Sequence, residues 1–265
     1  MRKSLVIILS VVACALFAFR MAIPLPDRID ETAFKSGEVL NYRMKYGIFT
    51  AAEAHLRVED SEVKFDGKPA YHIIADGATA GTFDVFYKVR NRYESYIDKA
   101  SLTPYLYTEN RHEGSWHHAD KVTFNHGDDK ITGTTGTYPF SGKVFDFPSA
   151  YYFARNIDVT KLHQGDTFDM RYFLDNGIQS LSITFIGREK VKTALGRFNC
   201  LKFNPTIIPG RIFRKDSKLY LWVTDDANRI PVKAHVEVVV GSLTMELTSA
   251  ANLKYPLKTA DSKND

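Results

Sequence analysis

Four of the eight histidines fall between positions 112 and 126, at His112, His117, His118 and His126, with Glu113 and Asp120 among them. Imidazole and carboxylate at this density is the ligand chemistry of a divalent metal. Neighbours on an extended strand point to opposite sides, so His117 and His118 cannot easily share an ion. His112 and His118 share a side but stand about 20 Å apart along a strand, too far for one ion unless the chain folds back. Gly114-Ser115 permits such a hairpin. The preferred reading is an exposed polar hairpin that holds no metal, and His112 and His118 are the candidate ligands if an ion is bound.

Other chemistry finds less support. There is no Gly-x-Ser-x-Gly elbow, and neither Gly67-Lys68 nor Gly142-Lys143 is followed by Ser or Thr, as a phosphate loop requires. Cys200 lies in a strand-like run and reads as a buried structural thiol. Asp128-Asp129 and Asp225-Asp226 are paired carboxylates, but both fall in turn-like segments. Tyr151, Tyr152 and Phe153 crowd one short stretch, and Trp116 and Trp222 add two indoles. These aromatics either line an apolar groove or pack a helix on a sheet. The residues thus predict a protein that is not an enzyme and holds no cofactor.

The elements that would position these groups begin after a targeting segment. Arg2 and Lys3 precede an apolar run from Leu5 to Phe19, and Arg20 closes it. The run is too short for a spanning helix and has the build of a secretory signal over residues 1–22. Val11-Val12-Ala13-Cys14 also resembles a lipobox, which makes Cys14 a candidate for lipidation and the N-terminus a candidate membrane anchor. The first 21 residues take three basic groups and no acids from a chain of 35 basic and 31 acidic residues, leaving a net charge of +1. A field so weak argues against nucleic acid as a partner.

Beyond the signal, apolar and polar residues alternate with period two, the mark of half-buried strands. Ala52, Ala54, Leu56 and Val58 alternate with Glu53, His55, Arg57 and Glu59. Val85, Tyr87 and Val89 alternate with Lys88 and Arg90, and Leu181, Ile183 and Phe185 with Ser182 and Thr184. Leu219, Leu221 and Val223 alternate with Tyr220 and Trp222, so that strand is large on both faces. Val236, Val238 and Val240 extend a run to Gly241. Asp66-Gly67 and Asp175-Asn176-Gly177 punctuate the runs as tight turns, which makes the neighbours antiparallel. Helical signals are confined to Pro148–Asn156 and a short stretch at Thr82–Phe86. Residues 23–257 read as one β domain, with a two-half alternative meeting at 132–143. Pro24–Glu31 and residues 258–265 read as unfolded ends.

Several segments resemble the bacterial domain-of-unknown-function family 3108. They are Ala33–Leu40 with Tyr42 and Tyr46-Gly47-Ile48, Val89–Asp98 with Leu102-Thr103-Pro104, Pro148–Arg155, Thr193–Cys200, Leu221-Trp222-Val223 and Ile230-Pro231-Val232. The resemblance implies an exported envelope protein of no assigned activity. Gly196–Phe203, Leu219–Thr224 and Arg229–Ala234 also resemble the C-terminal strands of periplasmic lipoprotein carriers, curved sheets that hold an acyl chain on a concave apolar face. The fold expected is mainly β, a strongly curved antiparallel sheet or open barrel with one or two short helices packed on it. The function expected is non-enzymatic binding or carriage of a hydrophobic or envelope-derived ligand in the periplasm or cell envelope. Envelope assembly through protein contacts is the alternative, and a carbohydrate-active enzyme the third reading. The export reading predicts that protein isolated from its own envelope lacks the N-terminal segment by intact mass, with diacyl mass at its terminus if Cys14 is modified.

Overall fold

Alternation and turn chemistry give the chain its strands, and the computed structural model describes them over residues 23–206 and 217–261. The signal segment and Cys14 lie outside the described residues. The strands are β1 (Val39–Tyr46), β2 (Phe49–Asp60), β3 (Ala70–Thr79), β4 (Val89–Asp98), β5 (Pro104–Glu113), β6 (Trp116–Asn125), β7 (Lys130–Gly133), β8 (Gly136–Pro139), β9 (Thr167–Leu174), β10 (Gly177–Thr193), β11 (Gly196–Pro205), β12 (Leu219–Thr224), β13 (Pro231–Glu237) and β14 (Ser242–Ala251). Helix α1 (Gly81–Phe86) lies between β3 and β4, and α2 (Phe147–Ala154) between β8 and β9. Asp66 and Gly67 adopt positive φ of 51° and 75°, and Asp175 and Asn176 of 47° and 63°, as two-residue hairpins of the favoured twist require.

All 14 strands form one sheet, in the order β8-β7-β6-β5-β4-β3-β2-β1-β14-β13-β12-β11-β10-β9. Every strand pairing is antiparallel. Because β1 pairs with β14, the first and last strands lie side by side and the free edges fall mid-chain, at β8 and β9. Both halves of the chain, on either side of 132–143, therefore belong to one sheet. Bulges at Asn41/Tyr42, Trp222/Val223 and Phe185/Gly187 add local twist and curl the sheet into an open barrel.

The two edges do not pair, yet neither lies bare. Phe145 pairs with β9: its N–H donates to Arg171 O at 2.9 Å, and Phe173 N–H donates to Phe145 O at 2.8 Å. Phe168 and Met170 face the main core, while Phe173 on the other side of β9 packs with Val122, Ile131, Phe140 and Val144 in a second cluster. The β6–β8 end thus laps over the β9 edge like the margin of a scroll. Burial of aromatic surface takes the place of the missing ladder.

Helix α2 fills one half of the barrel and is anchored at both ends. At its start Asp146 accepts from Ser149 N–H at 2.8 Å, and Ser149 Oγ accepts from Asp146 N–H at 2.9 Å, which is a capping box. Ser95 of β4 donates to the same carboxylate at 2.6 Å. At its end the buried Arg155 forms a bidentate pair with buried Glu38 at 2.5 and 3.0 Å. The guanidinium also donates to Asn228 O and Ala33 O. Tyr152 and Phe153 between these anchors are fully buried with Leu40, Ile73, Phe185 and Phe198.

Four expectations change. The lead-in at 24–31 is docked: Ile29 is buried and its N–H donates to Ala100 O at 2.8 Å. At the other end Ala260 N–H donates to Arg197 O at 2.6 Å, so the start of the expected tail lies against the β10–β11 hairpin, while 262–265 lie outside the described residues. Strand β13 stops at Glu237, and Val238–Gly241 is a turn because Gly241 takes a φ of 78°. The helix expected at Thr82–Phe86 forms as α1, so the alternating run of Val85, Tyr87 and Val89 is strand only from Val89, since Gly81 at φ 57° turns the chain into the helix.

Two outcomes follow from the anchors. Arg155→Met leaves Glu38 as an unpaired buried charge, and urea unfolding should show a loss of about 3–5 kcal/mol. Adding Glu38→Gln neutralises the stranded carboxylate and should recover part of it. Burial pushes the Asp146 carboxyl up from 3.8 to about 6, against the pull of its hydrogen bonds from Ser95 and Ser149. The folded protein then keeps a proton that the unfolded chain has already released, so Asp146 makes stability fall as pH rises through that interval and level off above it. The drop is on the order of 3 kcal/mol. In a series of unfolding curves across the interval, Asp146→Asn should flatten this slope.

Candidate functional site

The antiparallel order puts the β1–β2, β3–β4, β5–β6, β7–β8, β9–β10 and β13–β14 connections at one end of the barrel, here the mouth. The β12–β13 turn, the β6–β7 turn and both described chain ends lie at the other, the floor. Side chains on the inner face are buried in the floor half, where Leu40 and Tyr42 of β1 face Leu247 of β14 and Val232 of β13. Further along the same face, above α2, the inner side chains are only half-buried. Met44, Met245, Leu243, Ala234, Val236 and Leu221 form this upper wall. Phe147, the first residue of α2, projects between the two zones and is 58% exposed, with its ring 6.0 Å from that of Tyr93.

The facing wall, on β4 to β6, is polar. Asn91 donates to Glu113 at 2.9 Å, and Arg111 donates to the same carboxylate at 2.9 and 3.1 Å. Burial would raise the Glu113 carboxyl, but these bonds hold it below its usual range. Tyr107 OH donates to Glu109 at 2.8 Å, and His118 Nε2 lies 3.2 Å from the same residue. Trp116 stacks on His118 at 5.5 Å, and the Arg111 guanidinium lies over its ring at 4.9 Å. Each carboxylate named here has a donor or cation beside it, an arrangement suited to orienting a polar group rather than to attacking one.

The candidate pair His112 and His118 does not come together. The hairpin at Gly114-Ser115 forms, but it pairs His112 with His117 and Arg111 with His118. His112 and His117 share the outer face with rings 4.3 Å apart, and His118 lies on the inner face. Sequence spacing along one strand gave the wrong partner because a two-residue turn reverses the direction of counting. Among the described residues no group of three or more His, Cys, Asp or Glu is placed to hold a metal. Cys200 is buried, and burial pushes its thiol up to about 12. The carboxylate pairs occupy turns at the floor end, away from the mouth. Asp226 there accepts from Thr224 Oγ1 and from the N–H of Asn228 and Arg229. Trp222 faces outward, where Lys202 lies 5.0 Å and Lys233 5.8 Å from its ring.

The outer face is charged throughout this region. Arg43 and Glu53, Arg57 and Asp76, and Arg92 and Glu94 pair across it. A shallow depression of 260 Å³ there is lined by His55, Asp76, Arg90, Arg92, Asn110 and His112. Phe147 and the exposed turns at the mouth were not singled out as site residues by the sequence. The only signal for Phe147 was its place before Pro148, where a helix starts and its first side chain faces away from the helix's packed side.

None of the curated proteins matches the chain. Among solved structures, a β-barrel-like protein of the DUF1849 family from Brucella abortus has a TM-score of 0.53 at 7% identity, over 82% of this chain and 98% of that one. That likeness is one of fold alone. A candidate lipoprotein from Parabacteroides distasonis has a TM-score of 0.39 at 11% identity, over 83% of this chain and 98% of that one. A candidate exported protein with a YmcC-like fold from Bacteroides fragilis has a TM-score of 0.34 at 15% identity, over 83% and 99%. Both are too distant in shape to carry an argument. The model of the family described as protein of unknown function DUF3108 matches residues 41–248, which span β1 to β14, and the chain belongs to that family.

Proposed function

We propose that this is an exported cell-envelope protein that binds or carries a hydrophobic or envelope-derived ligand in the mouth of its barrel, without catalysing a reaction. The observation that carries this reading is the half-buried apolar stretch of the inner face. Apolar side chains continue above α2 where they are only half-buried, and Phe147 at the start of α2 is exposed beside Tyr93. Leaving such surface open is costly in water unless something covers it in use, at about 25 cal/mol per Å². The polar wall opposite, with Arg111, Asn91 and His118, suits a ligand that has one apolar end and one polar end. Envelope lipids have that build. Assembly through an added strand has less to support it, because Phe145 occupies the β9 edge and β8 is a four-residue strand.

A fluorescent fatty acid, dansylaminoundecanoic acid, tests the reading. The protein as processed by its own cell should enhance its fluorescence saturably, and an oleate competitor should reverse the gain. Phe147→Asp should weaken uptake roughly tenfold, since a charge replaces the apolar contact in the mouth. Asp in the first turn of a helix favours the helix dipole, so loss of folding does not explain such a result. Failure of the native protein to take up the probe, together with no lipid in its denatured extract, would sink the proposal.

A further inference from the structure

The large exposed apolar side chains are concentrated at the mouth. Ile48 is 88% exposed at the β1–β2 turn, Val85 and Phe86 are 83% and 82% exposed at the end of α1, and Val240 is 72% exposed at the β13–β14 turn. Phe49 and Val239 stand beside them. No residue of α1 is fully buried, and of its large apolar side chains Phe83 is half-buried while Val85 and Phe86 stand exposed. The three turns form one continuous arc. Tyr46 OH donates to Val240 O at 2.9 Å, and its ring meets that of Phe83 at 6.2 Å. Tyr87 OH donates to Glu113 O at 3.2 Å, which extends the arc to the β5–β6 hairpin and Trp116.

Immediately behind the arc, on the outer face, is a depression of 360 Å³ lined by Lys88, Arg90, His112, Gly114 and His117. Asp84 engages Arg90 at 2.6 and 3.0 Å, so Lys88 carries the positive surplus. Gly114 is needed there, since a side chain at its φ of 64° would meet the Tyr87 ring at 3.0 Å. We infer that this arc is a membrane-docking rim: the apolar tips enter the interface of an anionic bilayer while the cationic depression faces its lipid phosphates. Separate tips on separate turns suit a fluid interface better than a packed protein patch. Tyr87 and Trp116 lie at the level where aromatic rings favour the headgroup zone. The complementary charge is what commits the rim to anionic lipid. This inference rests on the rim alone and stands whether or not the mouth carries a ligand.

The test is flotation of the natively processed protein with vesicles of phosphatidylcholine, alone or with about one third phosphatidylglycerol. Wild type should float with the anionic vesicles, and less well in high salt. A triple variant, Ile48→Ser with Phe86→Ser and Val240→Ser, should lose roughly tenfold or more in affinity at an unchanged unfolding midpoint. Lys88→Glu should weaken binding to anionic vesicles and leave the neutral ones unaffected. With Trp222→Phe, Trp116 is the one remaining indole, and brominated lipid should quench it. Both proteins share one N-terminus, so any anchor there cancels in the comparison. Equal flotation of wild type and triple variant would overturn the inference, as would a rim-dependent dimer in place of vesicle binding. Fatty-acid uptake that survives in the triple variant separates failure of docking from failure of the ligand reading.

Discussion

The buried pair between Arg155 and Glu38 holds the rest of the molecule in place. A guanidinium and a carboxylate withdrawn from water cost several kcal/mol each unless every donor is used. Here the remaining donors go to the carbonyls of Asn228 and Ala33. Asn228 in turn donates its side-chain amide to Tyr255 O and Pro256 O, and Arg229 donates to Arg155 O. One charge therefore ties together the N-terminal lead-in, the end of α2, the β12–β13 turn and the C-terminal segment. The β1–β14 pairing depends on this junction, because it fixes both chain ends against the same floor.

With α2 fixed at the floor and its cap held by Ser95, the barrel cannot be filled evenly. Eight helical residues span about 12 Å, while ten-residue strands run to more than 30 Å. The difference is the mouth. A sheet curled this tightly would ordinarily close or pack on a second layer. This one laps its β6–β8 margin over β9 and leaves one end open. The architecture thus produces a charged exterior and an upper interior with one apolar and one polar wall, and joins them at a rim of exposed turns.

The rim and the mouth are one problem for the fold. Hydrophobic side chains placed on turns gain nothing for stability, and α1 buries none of its residues. Period-two patterning misread both places, although the helical signal at Thr82–Phe86 matched α1. Val85 and Val240 alternated with their neighbours as strand residues do, and only a glycine at positive φ in each case turned the chain so that they point outward. Period-two alternation reports which residues would share a face if the backbone were extended, and it cannot report where the strand stops.

The sequence by itself determined the class of fold, because alternation and Asp-Gly or Asp-Asn turns are local properties that survive in any context. It determined α2 as well, through Pro148, while the Asp146–Ser149 capping box that starts the helix showed only in the structure. It also specified the hairpin at Gly114-Ser115, though not which histidines that hairpin would bring together. Tertiary structure alone decided the rest. Nothing local marks Glu38 as the partner of a residue 117 positions away, or sets β1 beside β14. Those choices come from burying one charge pair and one continuous core at once, a condition only the whole chain can satisfy.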